Sequence, residues 1–185
     1  MIPVYVIGGI ILLILIWFIA TYNVFVRLRQ HVKESWSGID TELKRRYDLI
    51  PNLVETVKGY AAHEKQVLES VIEARTRAAN SNGSPNAQAR DENMLVGALQ
   101  QLFALAEGYP DLKASANFLE LQKQLADTED RIQAARRFYN ANVRDLNTRC
   151  GVFPSNLIAG MFHFQRAEFF EIDSASARAP VKVSL

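Results

Sequence analysis

The sequence predicts an all-α protein, an N-terminal transmembrane helix that continues into an elongated antiparallel helical bundle. Three observations point there. The first 26 residues carry no charged side chain. From Phe25 onward, apolar residues recur in alternating steps of three and four. Glycine and proline are sparse, 9 and 6 in 185 residues, while 49% of residues are apolar. That balance suits long helices better than a turn-rich β protein.

The opening stretch MIPVYVIGGIILLILIWFIATYNVFV assigns residues 1–26 to a membrane anchor. A helix from Pro3 to Val26 is about 36 Å long at ~1.5 Å per residue, enough to cross a hydrocarbon core of about 30 Å with some tilt. Tyr5, Trp17 and Tyr22 lie near its ends, where aromatic side chains favour the membrane interface. A cleavable signal peptide fits less well. It would need a basic n-region, a shorter apolar run and a small-x-small site after Phe18. Lipid is therefore the expected partner of residues 3–26. Arg27, Arg29 and Lys33 flank only the C-terminal side, so the positive-inside rule places the N-terminus outside and the main domain in the cytoplasm.

Residues 27–150 read as the bundle. The stripe Phe25, Leu28, Val32, Trp36, Ile39, Leu43, Arg46, Ile50, Leu53, Val57, Tyr60, Glu64, Val67, Val71, Ala74, Ala78 keeps a 3.5-residue beat, broken only by Arg46 and Glu64. Val54, Ala61, Leu68 and Ile72 widen it beyond a two-stranded seam. One helix over about 27–80 is the reading. Pro51 falls inside it, removing an amide donor and freeing the Tyr47 carbonyl. A hairpin at Asp48–Pro51 competes with a kinked but continuous helix. The heptad phase crosses the proline without slipping, which favours the kink. In that geometry the final helix ends at the tip away from the membrane; a hairpin would return it to lipid.

The run ANSNGSPNA (79–87) is a loop. A helix follows over about 87–108, stopped by GYPDL (108–112), and a third spans about 113–149, with Asp111 or Ser115 available as its cap. Brief connections make neighbouring helices antiparallel. In residues 151–173, Phe153-Pro154 turns the chain, Ser155 offers an N-cap to a short helix, and Phe162, Phe164, Phe169 and Phe170 follow. Three readings of this aromatic segment stay open: closure of the bundle core, an interface for another subunit or protein, and membrane contact, which Glu168, Glu171 and Asp173 oppose. The tail, 174–185, has few large apolar groups before its end.

Chemistry is faint. Lys and Arg total 21 against 20 Asp and Glu, a net charge of +1, which makes no case for nucleic acid. Cys150 is the single cysteine, so no disulfide or thiolate metal site is expected. His63-Glu64 begins like a zinc-protease motif, but Val67 stands where the second histidine belongs. No catalytic residue, metal ligand or cofactor is assigned.

The stretch YNANVRDLNTRCGVFPSNLIAGMFHFQRAEFFE (139–171) resembles the C-terminal signature of the LemA family of bacterial membrane proteins, through its YN, VRD, FPSN, IAG and FFE elements. LKRRYDLIPNLVETVKGYAAHE (43–64) is similar to that family's N-terminal block, and YPDLKA with NFLELQ (109–122) fits as well. The resemblance implies an N-terminally anchored protein with an elongated helical domain, and the expected location is the bacterial inner membrane. It supplies no agreed activity, so no site residue is carried over. The expectation is a non-enzymatic protein that self-assembles or scaffolds other membrane proteins, with Phe153, Asn156, Phe162, Phe164, Phe169 and Phe170 as interaction candidates. Pro51, Arg46 and Asn142 are assigned to a structural kink and polar core, with Asn140, Asn142 or Arg144 as the group that satisfies Tyr47. The alternative is a ligand- or peptide-sensing adaptor with a pocket lined by Arg46 and Asn142.

Overall fold

The computed structural model describes residues 2–171; the tail assigned to 174–185 and the last two residues of the 151–173 segment lie outside them. Among the described residues all regular structure is helical: α1 (Ile2–Lys58), α2 (Lys65–Ala79), α3 (Pro85–Ala106), α4 (Pro110–Lys113), α5 (Ala116–Gly151) and α6 (Ser155–Met161).

α1 dominates. Its 57 residues form a rod about 86 Å long at ~1.5 Å per residue, and it passes through Pro51 without a break. The rod's N-terminal part is long and apolar enough to cross a membrane. Only 11% of its most apolar window is covered by the rest of the chain, which separates it from a core helix of similar composition.

The helix read over 27–80 is, however, two helices. α1 ends at Lys58, and the chain reverses through Gly59–Glu64 before α2 begins. Short-range bonds tighten this turn, Tyr60 N–H to the Val57 carbonyl and Glu64 N–H to the Ala61 carbonyl. Ala61 is packed inside it, and the Tyr109 hydroxyl donates to Glu64 Oε1 at 3.2 Å. The reversal hides in the heptad pattern because α1 and α2 present their apolar faces to the same core. Both sides of the turn therefore contribute to what looks like one stripe.

This reversal redirects everything downstream. α2 runs back along α1, so Arg75 reaches Tyr47. α3 returns antiparallel to α2, with Arg77 against Asp91. Ser84 caps α3 by accepting from the Ala87 amide, and Pro85 occupies its first turn. Ser115 holds the N-cap position of α5 without a side-chain cap bond. α5 then descends along α1 for its whole length: Glu129 meets Arg46, Tyr139 meets Trp36, and Leu146 clusters with Phe25. The third long helix thus ends beside the apolar span, not at the far tip, and the aromatic segment returns with it.

Candidate functional site

Two constellations stand out, one in the middle of the bundle and one where it meets the span. The central one begins with Arg46, a stripe-breaking cation with 2% of its surface exposed. A guanidinium in such a place requires carboxylates, and two arrive from different helices. Glu92 of α3 is fully buried and paired with Arg46 Nη2, while Glu129 of α5 takes Nη1 at 2.8 Å. The Tyr47 hydroxyl donates to the other Glu92 oxygen. Burial pushes the Glu92 carboxyl above its ordinary range, against the opposing pull of Arg46 and Tyr47. The Tyr47 phenol is raised too, first by burial and then by Glu92.

The Tyr47 carbonyl freed by Pro51 is met from α2, where Arg75 Nε donates to it at 2.6 Å. Asn140, Asn142 and Arg144, the candidates for that task, lie further along α5. Glu129, the α5 partner of Arg46, is thirteen residues before Asn142, about 20 Å along the helix. Arg46 and Asn142 are therefore not brought together, and the pocket expected between them does not form. A groove of about 740 Å³ beside α1 is lined instead by Val32, Trp36, Asp40, Ser81, Gln88 and Tyr139 among others. Asn142 is buried, and its Nδ2 has no hydrogen-bond partner among the described residues.

The second constellation is a clamp. After α6 the chain turns at His163, whose φ of 55° lies in the left-handed region. It then runs from Phe164, stacked on Phe25 at 4.9 Å, to Phe170, edge-on to Trp36 at 5.3 Å. Those contacts are eleven residues apart on α1, about 16 Å. Six residues of chain cover that distance only when nearly extended.

An extended segment exposes peptide groups, and α5 supplies their partners. Asn147 exchanges two hydrogen bonds with the Ala167 peptide groups, at 2.8 and 2.9 Å. Asn140 does the same with Phe170, both at 3.0 Å. The spacing is metrical: seven helical residues rise about 10.5 Å, and three extended residues cover about 10 Å. Between the gripped residues Ala167 and Phe170, the Glu168 carbonyl accepts from the Tyr139 hydroxyl at 2.9 Å. Burial pushes this phenol up to about 12, with the Glu168 carboxylate adding to the shift.

The aromatic candidates therefore divide. Phe170 is fully buried and Phe164 half-buried, closing the bundle against α1. Phe162 packs on Tyr22 and Phe18, at 4.8 and 5.8 Å, yet stays partly exposed. Phe153 and Phe169 are exposed, and Asn156 is half-buried. Ser155 does not cap α6. It is the first residue of that helix, and its hydroxyl donates to the Arg149 and Val152 carbonyls, closing the end of α5. Cys150 is half-buried near the Phe164 carbonyl, and burial raises its thiol above the usual range. Among the described residues no group of three or more His, Cys, Asp or Glu side chains is arranged to hold a metal.

Sequence reasoning missed Glu92, Glu129, Arg75 and the role of Asn147. The Asn140–Asn147 spacing of seven was visible as two amides on one helical face. It acquires meaning only beside a strand-like segment of matching rise.

These features define a class: a membrane-anchored helical protein in which the anchor and the bundle share one helix. The LemA family matches over residues 35–185, and the chain belongs to that family. Magnetosome protein MamQ 2 of Paramagnetospirillum magneticum is 27% identical, over 91% of this chain and 73% of its own length. MamQ of Magnetospirillum gryphiswaldense is 26% identical, over 91% and 72%. Protein LemA of Metamycoplasma hominis is 25% identical, over 87% and 77%.

Proposed function

We propose that this protein is a non-enzymatic scaffold of the bacterial inner membrane, which associates with other proteins, copies of itself first among them, on the cytoplasmic side. The observation that carries the reading is α1 itself. One uninterrupted helix serves as both span and bundle member, so the domain is held at a set height and angle relative to the bilayer, as a scaffold requires.

Further support comes from how the polar groups are used. Arg46, Glu92 and Glu129 are engaged with one another inside the bundle, and the Asn140 and Asn147 amides with the chain's own peptide groups. Polar groups so occupied hold a shape. Phe138 of α5 and Phe169 of the extended segment remain uncovered, 64% and 41% exposed, and such aromatic side chains anchor protein interfaces. The names of the relatives denote a magnetosome and a family, not a reaction. Arg27, Arg29 and Lys33 after the span support the cytoplasmic placement.

The test is chemical crosslinking of the full-length protein in native membranes, followed by light scattering after detergent extraction. Multimers of the chain are expected, and Phe138→Glu should reduce them without lowering the melting temperature. A strict monomer at native density overturns the self-assembly reading.

A further inference from the structure

α6 turns Ile158 and Ala159 inward against Phe25 and Leu146. Its opposite side is apolar and bare: Leu157 and Met161 are 59% and 63% exposed, and Phe153, just before the helix, is 74% exposed, with Val152 and Phe162 beside them. In a water-soluble setting so dense an exposed apolar patch marks a binding surface. Its position along α1 says what binds.

Measured from Pro3 at ~1.5 Å per residue, a hydrocarbon core of about 30 Å extends to about Asn23. Phe162 packs on Phe18 and Tyr22. A small cavity of about 190 Å³ between α1 and the α5–α6 connection is lined by Trp17, Thr21, Arg149, Val152, Phe153 and Pro154. These α1 residues lie just before Asn23, and Phe25, which packs with Ile158 and Ala159, lies just after it, so α6 sits at the depth where the span leaves the bilayer. Its bare face continues the uncovered apolar surface that α1 shows from Tyr5 to Ile19.

Charge agrees with this placement. Arg27, Arg149 and Arg166 are exposed around the same level, suited to anionic headgroups. Of the carboxylates that argued against lipid contact, Glu168 and Glu171 are carried away from it, and Asp173 lies outside the described residues. Phe170, flanked by Phe169 and Glu171, lies at Trp36, thirteen residues past Asn23 and so about 20 Å further along the rod.

We infer that α6 is an interfacial membrane helix whose Leu157–Met161 face, with Phe153 just before it, seats in the headgroup–acyl boundary of the leaflet from which α1 emerges. α1 and α6 then form a two-point attachment, a span and a shoulder, which sets the rotation and depth of the rod. Amphipathic segments bind bilayers in this way, apolar side down. The inference rests on the anchoring helix and not on self-assembly, so the two fail independently.

The experiment uses the full-length protein with Cys150→Ser and one new cysteine, Leu157→Cys, carrying a fluorophore. It is reconstituted in vesicles of phosphatidylethanolamine and phosphatidylglycerol with brominated acyl chains. The Leu157 label should be quenched by lipid bromine and shielded from aqueous iodide. A label at Leu119, exposed near the far end of the bundle, should show the reverse. With Phe153→Glu and Leu157→Glu together, a label at Met161 should lose its lipid quenching while helix content is unchanged. Iodide access at Leu157 equal to that at Leu119 overturns the inference, as does crosslinking of Leu157→Cys to a second copy in place of lipid quenching.

Discussion

At the residue scale, Arg46 and Glu92 show how a polar pair is accommodated in an apolar stripe. Each is nearly or wholly excluded from water, so removing Glu92 leaves Arg46 with Glu129 alone, and removing Arg46 leaves the Glu92 carboxylate with Tyr47 alone. Glu92→Leu should destabilise the fold by about 3–5 kcal/mol. Adding Arg46→Met should recover much of that loss, because the cost lies in a buried guanidinium left with one of its two carboxylates rather than in the missing bond. Glu129, 34% exposed, stays solvated when its partner goes. Chemical denaturation of the two single variants and the double variant closes the cycle. Tyr139 makes a pH-dependent counterpart. The folded phenol, pushed up to about 12, holds its proton more tightly than an unfolded tyrosine at about 10. Its contribution is fully present below about pH 10 and is lost as pH rises toward 12. Tyr47 is raised in the same direction. Tyr139→Phe should therefore flatten the fall of stability over that window without abolishing it, read by denaturant titration at successive pH values.

At the scale of elements, Pro51 is tolerated inside α1 because another helix makes good its defect. The Tyr47 carbonyl that loses its i+4 amide accepts from Arg75 of α2 instead. Arg75→Met should cost about 1–3 kcal/mol by leaving that oxygen without a donor. In a Pro51→Ala background the same change should cost less, since the alanine introduced there carries an amide that supplies the bond from within the helix. A coupling near zero in this cycle would mean that the two groups do not share the carbonyl. The asparagine pair works by the same logic of mutual satisfaction. Asn140 and Asn147 stand in for a neighbouring strand and let an extended segment lie against the bundle without a sheet. Much of this layer was legible: the helical class, the loop at 79–87 and the stop at 108–112 follow from turn chemistry and period. Gly59–Glu64 was not. Its residues, GYAAHE, lack the Asn, Pro and Ser that mark a loop, and the apolar phase runs through them.

At the scale of the whole molecule, one six-residue reversal decides where every later element lies. Had α1 and α2 been continuous, α5 would have ended at the far tip with its aromatic residues in the cytosol. Turning at Gly59 instead brings α5 down the full length of the bundle, sets α6 against Phe25, and lays the residues just after it on Phe18, Tyr22 and Phe25. Phe162 and Phe164 are thereby drawn into the collar around α1, while Phe153 is left bare at its edge. The self-assembly expected of the full-length protein and the seating of α6 in lipid both belong to this scale, because each depends on which end of the rod carries which surface. The sequence by itself determined the helical class, the apolar span, family membership and the residues with unusual character, since composition and periodicity act locally along the chain. Only the tertiary structure decided that Arg46 meets Glu92 and Glu129, that Asn140 and Asn147 grip a strand-like segment, and that the aromatic end returns to the span. Those pairings join residues far apart in sequence, and their geometry hangs on the direction of a single turn that periodicity cannot register.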